Sequence, residues 1–169
     1  TGFIVFNERN YPDLISFFDE LNVKIENSNM SFSVSSEKID LEYGGSNLNS
    51  IFAQRKNIFS LSYIFFIFEI LKFYKKSKKI ELKNYKNNYM TIEDFLNKNK
   101  FSQQLRNLHI YPMISSIWST DNFNAKKFPF ISFINFFSNH GLFDIKDRPE
   151  WKFIKKGSYN YIEKLIKKN

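Results

Sequence analysis

Five glycines among 169 residues limit which folds this chain can complete alone. Loops that cradle phosphate depend on glycine, because a residue without Cβ lets the backbone close on an anion. The sequence contains no Gly-x-Gly-x-x-Gly, no Walker A loop and no Gly-x-Ser-x-Gly. Its one adjacent pair, Gly44-Gly45, follows an acidic strand-like stretch and reads as a hairpin turn. This argues against a self-contained nucleotide-binding domain.

Other chemistries narrow in the same way. The chain has no cysteine, which removes disulfides, thiolate metal sites and a cysteine nucleophile. His109 and His140 lie far apart in sequence and lack a metal-binding spacing, so no metal ligand is assigned. Neighbouring carboxylates, Asp19-Glu20 and Glu93-Asp94, point to different faces of a helix and suit its solvent side. No Ser/His/Asp set is apparent, and no catalytic residue is assigned. A cytoplasmic setting is the default, with the inner membrane surface as its extension.

Periodicity predicts an α+β chain, mainly helical, with strands toward both ends. Phe3–Phe6 reads as a short strand, and Tyr11-Pro12-Asp13 starts a helix to about Asn22 with Leu14, Phe17, Phe18 and Leu21 on its inner face. Val23–Glu26, Met30–Val34 and Ile39–Tyr43 alternate as in a small antiparallel meander. Asn47 or Ser46 caps a short helix over 48–54, and Thr91 caps another. Pro112 should interrupt a helical block over 101–117 near Ile110. Pro129 starts a helix with Phe130, Phe133, Ile134 and Phe137 on one face, ended by Gly141. A strand at Trp151–Ile154 and a helix at Tyr159–Lys168 complete the pattern. The division is 1–57 with the first strands, 58–147 as a helical insert, and 148–169 as the returning strand and helix.

The segment LSYIFFIFEILKFYKK, opened by Ser60 or Ser62, is apolar nearly all round. It is too short for a membrane span, which takes ~20 apolar residues, so it is buried or covered by something else. Of the formal +8 charge, residues 72–86 supply +6, and residues 77–90 read as a Lys/Asn-rich loop. Next to the aromatic helix, these lysines also fit an anionic membrane surface, which gives the rival reading of a non-enzymatic peripheral membrane module. Nucleic acid is disfavoured, because the phenylalanines sit at core spacing and do not form a stacking platform.

Five strings carry a family resemblance: TGFIVFNERNYPDLI at the start, LEYGGSNLNSIFAQRKNIFS (41–60), YPMISSIWST (111–120), FFSNHGLF (136–143) and RPEWKFIKKGSYNYIEKL (148–165). Together they resemble, in order and spacing, a bacterial family of predicted NAD/FAD-binding proteins within the flavin-containing amine oxidoreductases. The resemblance implies an internal segment of an FAD-dependent, amine oxidase-like α/β fold, without the N-terminal Rossmann unit and the C-terminal FAD segment. It implies FAD as cofactor and hydride removal from a small-molecule or lipid substrate, with the isolated segment neither holding FAD tightly nor turning over. On the cofactor side it places Gly2, Phe3, Ile4 and Val5, with Gly157 and Ser158 in a turn where relatives carry W-x-x-V-x-G-G-S. Lys156 replaces the first glycine of that turn. On the substrate side it places Trp118, His140, Arg148 and Trp151.

Overall fold

A computed structural model describes residues 3–80, 89–144 and 149–168. The Lys/Asn-rich loop expected over 77–90 lies partly outside these residues. The fold is α+β and mainly helical, with a few short antiparallel strands. It divides into two compact units: residues 1–30 with 139–169, and residues 31–138.

The first unit is organised by a three-stranded antiparallel sheet. Its strands are β1 (Phe6–Asn7), β2 (Ile25–Ser28) and β5 (Trp151–Ile154), in the order β1-β5-β2. The central strand pairs Ile154 with Ile25 and Trp151 with Ser28 on one side, and Lys152 with Phe6 on the other. The expected meander is therefore corrected. β2 leaves its neighbours in sequence and pairs with a strand more than 120 positions away, because Ile25 and Ile154 together extend one apolar face. Helix α1 (Pro12–Glu20) has proline in its first turn. It ends in a Schellman arrangement: Asn22 takes φ +51°, its N–H donates to the Asp19 carbonyl (3.0 Å), and the Val23 N–H donates to that of Phe18 (2.8 Å). Phe18 and Val23 join Phe6, Leu21 and Ile154 in the core, against which Tyr161 and Leu165 of α9 (Tyr159–Lys168) pack.

In the second unit, β3 (Ser33–Ser36) and β4 (Leu41–Gly44) form a hairpin with Val34 opposite Tyr43. Helix α2 (Leu48–Ile51) is capped by a reciprocal Asn47–Ser50 box. Ser60 caps α3 (Leu61–Lys78), which runs beyond the start of the expected loop. Helix α3 buries Tyr63, Phe66, Ile70 and Phe73. The Phe73 ring meets those of Phe95, Phe101 and Phe133 edge-on. Thr91 caps α4 (Ile92–Lys98) and bonds Asp94 in return. The chain then continues through α5 (Gln103–Leu105), α6 (Tyr111–Trp118), α7 (Asn122–Lys127) and α8 (Phe130–Asn139). The four apolar residues expected on the face of α8 are all buried.

Pro112 has a specific local consequence. It cannot donate to the carbonyl of Leu108 four residues earlier, and its ring crowds that carbonyl. The backbone widens into a π-helical turn at Arg106–Ile110, between α5 and α6, instead of breaking. The freed Leu108 carbonyl accepts a bond from the Tyr43 hydroxyl at 2.8 Å. His109, in the same turn, lies 2.8 Å from Tyr43 Oη through Nδ1 and 2.8 Å from Tyr74 Oη through Nε2. With Tyr43 donating to Leu108, the consistent proton arrangement has Nδ1–H donating to Tyr43 and Nε2 accepting from Tyr74. The imidazole is neutral and fully used. Burial lowers its pKa to about 3 and raises that of Tyr43.

Between pH 6.5 and 3 the unfolded chain therefore binds a proton at residue 109 that the folded chain refuses, so stability falls as pH falls. The expected slope is about 1.4 kcal/mol per pH unit below pH ~6. Urea unfolding at several pH values should show it in the wild type and lose that part of the slope in His109→Gln. Tyr43→Phe should cost about 1–3 kcal/mol by removing the hydroxyl that bonds the Leu108 carbonyl and His109 Nδ1.

Candidate functional site

The carboxyl end of β5 leads into the candidate site. After Ile154 the chain turns back, and the Gly157 N–H donates to the Ile154 carbonyl at 2.9 Å. Lys156, the third residue of this turn, has φ +68°, and Gly157 follows at φ +82°. The lysine thus occupies the left-handed backbone that glycine adopts without strain. Beyond the turn, the Ser158 hydroxyl donates to the Phe3 carbonyl at 3.3 Å and ties the start of α9 to the segment before β1.

These connections border an open cleft of about 730 Å³, within the size range of ligand pockets. It is lined by Phe3, Ile4 and Val5 from the segment before β1, by Ser28, Phe153 and Ile154 of the sheet, and by Lys156, Gly157, Ser158, Tyr159 and Ile162 of the turn and α9. Phe3 turns its ring inward, near-parallel to Tyr161 (6.3 Å between centroids) and edge-on to Phe6 (5.7 Å). Ile4 remains 85% exposed at the rim. A Cβ built on Gly157 would meet nothing within 4 Å, so the space beside it is open.

Five residues expected on the cofactor side, Phe3, Ile4, Val5, Gly157 and Ser158, thus line one surface. The sixth, Gly2, lies outside the described residues. The lining is mainly hydrocarbon, with Lys156 as its cation and Tyr159 and two serines as its hydroxyls. Such a surface can hold a flat apolar ring near a positive charge. It lacks the glycine-rich turn that a pyrophosphate needs.

The residues expected on the substrate side divide. Trp151 and His140 come together as near-parallel rings, 5.7 Å between centroids with 5° between planes. Tyr11 Oη lies 3.2 Å from His140 Nε2. Tyr11 was legible only as a residue beside the helix-starting Pro12, and sequence offered no sign of its contact with a histidine 129 positions later. Opposite Trp151 in the sheet is Asn7, fully buried, whose amide nitrogen has no partner among the described residues. Gly141, at φ +62°, makes the turn after His140. Trp118 belongs to the second unit, where its ring packs on Phe128 (4.3 Å) and Phe136 (5.0 Å). Arg148 lies outside the described residues.

The chain matches no family model and no curated protein. The turn itself offers a direct test. Lys156→Gly removes ~1–2 kcal/mol of left-handed strain at a cost of ~0.5–1 kcal/mol in chain flexibility. The variant should therefore be more stable by up to about 1.5 kcal/mol in urea unfolding. Gly157→Ala, with a side chain forced to φ +82°, should be less stable by a comparable amount.

Proposed function

We propose that this chain supplies the ring-side wall of the flavin site, and part of the substrate site, in an FAD-dependent oxidoreductase of the amine oxidase-like superfamily. One observation carries the reading. Two segments about 150 positions apart, each singled out for resemblance to flavin-proximal strings, converge on a single cleft of ligand size. When bound, the flavin would accept a hydride equivalent from the substrate.

The residues of the chain do three things in this reading. Ile4, Val5 and Phe153 provide apolar walls that exclude water from a ring. Gly157 leaves the room a side chain would fill, and Lys156 offers positive charge to the electron-rich end of a reduced ring. Tyr11, His140 and Trp151 form a stacked, hydrogen-bonded group that can wall a substrate cavity and present one polar edge. The aromatic group of Tyr11, His140 and Trp151 suits an apolar or lipid-like substrate better than a polyamine.

The test uses the protein expressed from its whole reading frame. Purified, it should carry stoichiometric flavin, seen as visible absorbance. Ile4 is exposed, so Ile4→Asp should leave the thermal midpoint in place. It should lower flavin affinity at least ~10-fold, which corresponds to ~1.4 kcal/mol. A wild-type protein that neither retains nor rebinds flavin would overturn the assignment.

A further inference from the structure

Helix α3 holds the most apolar stretch of the chain, yet only part of that stretch is core. Tyr63, Phe66, Ile70, Phe73 and Ser77 point inward. The opposite face leaves Leu61 73%, Phe65 69% and Phe68 63% exposed, and Phe59, just before the helix, is 89% exposed. Leu61, Phe65, Phe68, Lys72, Lys75 and Lys79 follow one another at alternating spacings of four and three, which places them on one stripe. The stripe changes character along its axis. At 1.5 Å per residue it is apolar for ~10 Å and basic for a further ~10 Å.

The charge on this stripe is not cancelled by the helix itself. Its single acid, Glu69, is turned aside to accept bonds from the Ser102 N–H at 3.0 Å and the Ser102 hydroxyl. Lys72 lies 5.6 Å from the Phe101 ring centroid, and Lys76 donates to Asn99 Oδ1 at 2.8 Å. Both partners are neutral, so they steady the ammonium groups and leave their charge available. Among the described residues no helix is long and apolar enough to cross a membrane.

We propose that this stripe docks the second unit on an anionic lipid surface. Phe59, Leu61, Phe65 and Phe68 enter the boundary between headgroups and acyl chains, and the lysines meet lipid phosphates and carboxylates. The change from apolar to basic along one face requires an inclined helix, its amino end deeper than its carboxyl end. A buried apolar patch and a row of cations beside it are the two elements of reversible binding to anionic membranes. A second copy of the chain would cover the phenylalanines but bring no free acid from α3 to the lysines.

The experiment is co-sedimentation of the full chain with vesicles of phosphatidylcholine alone, or with about one-third phosphatidylserine, a surface that attracts polybasic segments. The chain should pellet with the anionic vesicles and much less with neutral ones, and salt should weaken the binding. Phe65→Ser with Phe68→Ser, and separately Lys75→Glu with Lys79→Glu, should each lower partitioning at least ~10-fold. All four side chains are exposed, so both variants should keep the wild-type circular dichroism and melting midpoint. A chain that stays in the supernatant with anionic vesicles, or variants that bind as the wild type does, would overturn the proposal. So would a wild-type dimer in sedimentation velocity that the phenylalanine variant dissolves, because the stripe would then belong to a second copy.

Discussion

The cleft depends on the antiparallel pairing of one four-residue strand. Trp151–Ile154 lies between β1 and β2 and holds together segments that would otherwise diffuse independently. Closing so long a loop costs entropy that local hydrogen bonds alone would not recover. Burial of Ile154 with Phe6, Phe18, Leu21 and Val23 supplies the offset. Side chains alternate across the strand, so this register also fixes the other face. There Trp151 stands opposite Asn7 and stacks on His140. A slip of one residue would turn Ile154 out of the core and break up that group at the same time.

A second constraint follows from the poverty in glycine. Folded chains need left-handed residues to end helices and close turns, and here Asn22, Asp40, Lys100, Ser119 and Lys156 take positive φ without glycine's freedom. Asn22 and Lys100 each serve as the residue after a helix, where the next apolar residue, Val23 or Phe101, is buried. These two strained positions are held by the hydrophobic contact they make possible. Lys156 differs, because Gly157 follows it with open space where its Cβ would stand. The strain at Lys156 is therefore supported mainly by the turn's hydrogen bond and by the anchoring of Ser158 to Phe3.

Sequence reading reached the elements that carry their own punctuation. Trp151–Ile154 and Tyr159–Lys168 were legible because Pro149 and Gly157 bracket the strand and a lysine-rich amphipathic run fills the helix. Thr91 and Pro129 declared their helix starts through local chemistry. Partner choice was not legible. Alternation at 23–26 announces a strand, but nothing local distinguishes a neighbour seven residues away from one beyond residue 150. Helix α7 also escaped notice, since Asn122–Lys127 has little apolar periodicity and owes its start to the Asp121 cap. In the candidate site, the approach of residues 3–5 to 157–158 was expected only through resemblance. The hydrogen bond between Tyr11 and His140 has no signal in the sequence.

Pro112 shows why a correct local rule can still miss the structural outcome. The rule says that proline removes a donor and disturbs the turn before it, and it does. Whether the helix then breaks or widens depends on what can satisfy the stranded carbonyl, and that is decided by residues elsewhere in the sequence. Here β4 brings Tyr43 to Leu108, and α3 brings Tyr74 to the adjacent His109. With both hydroxyls in place the widened turn leaves none of these groups unpaired, so continuity costs less than a break. A histidine buried beside Phe32, Tyr43 and Tyr74 is tolerated for the same reason. It remains neutral, and the two tyrosines meet both of its nitrogens, so no polar atom of the ring is left without a partner.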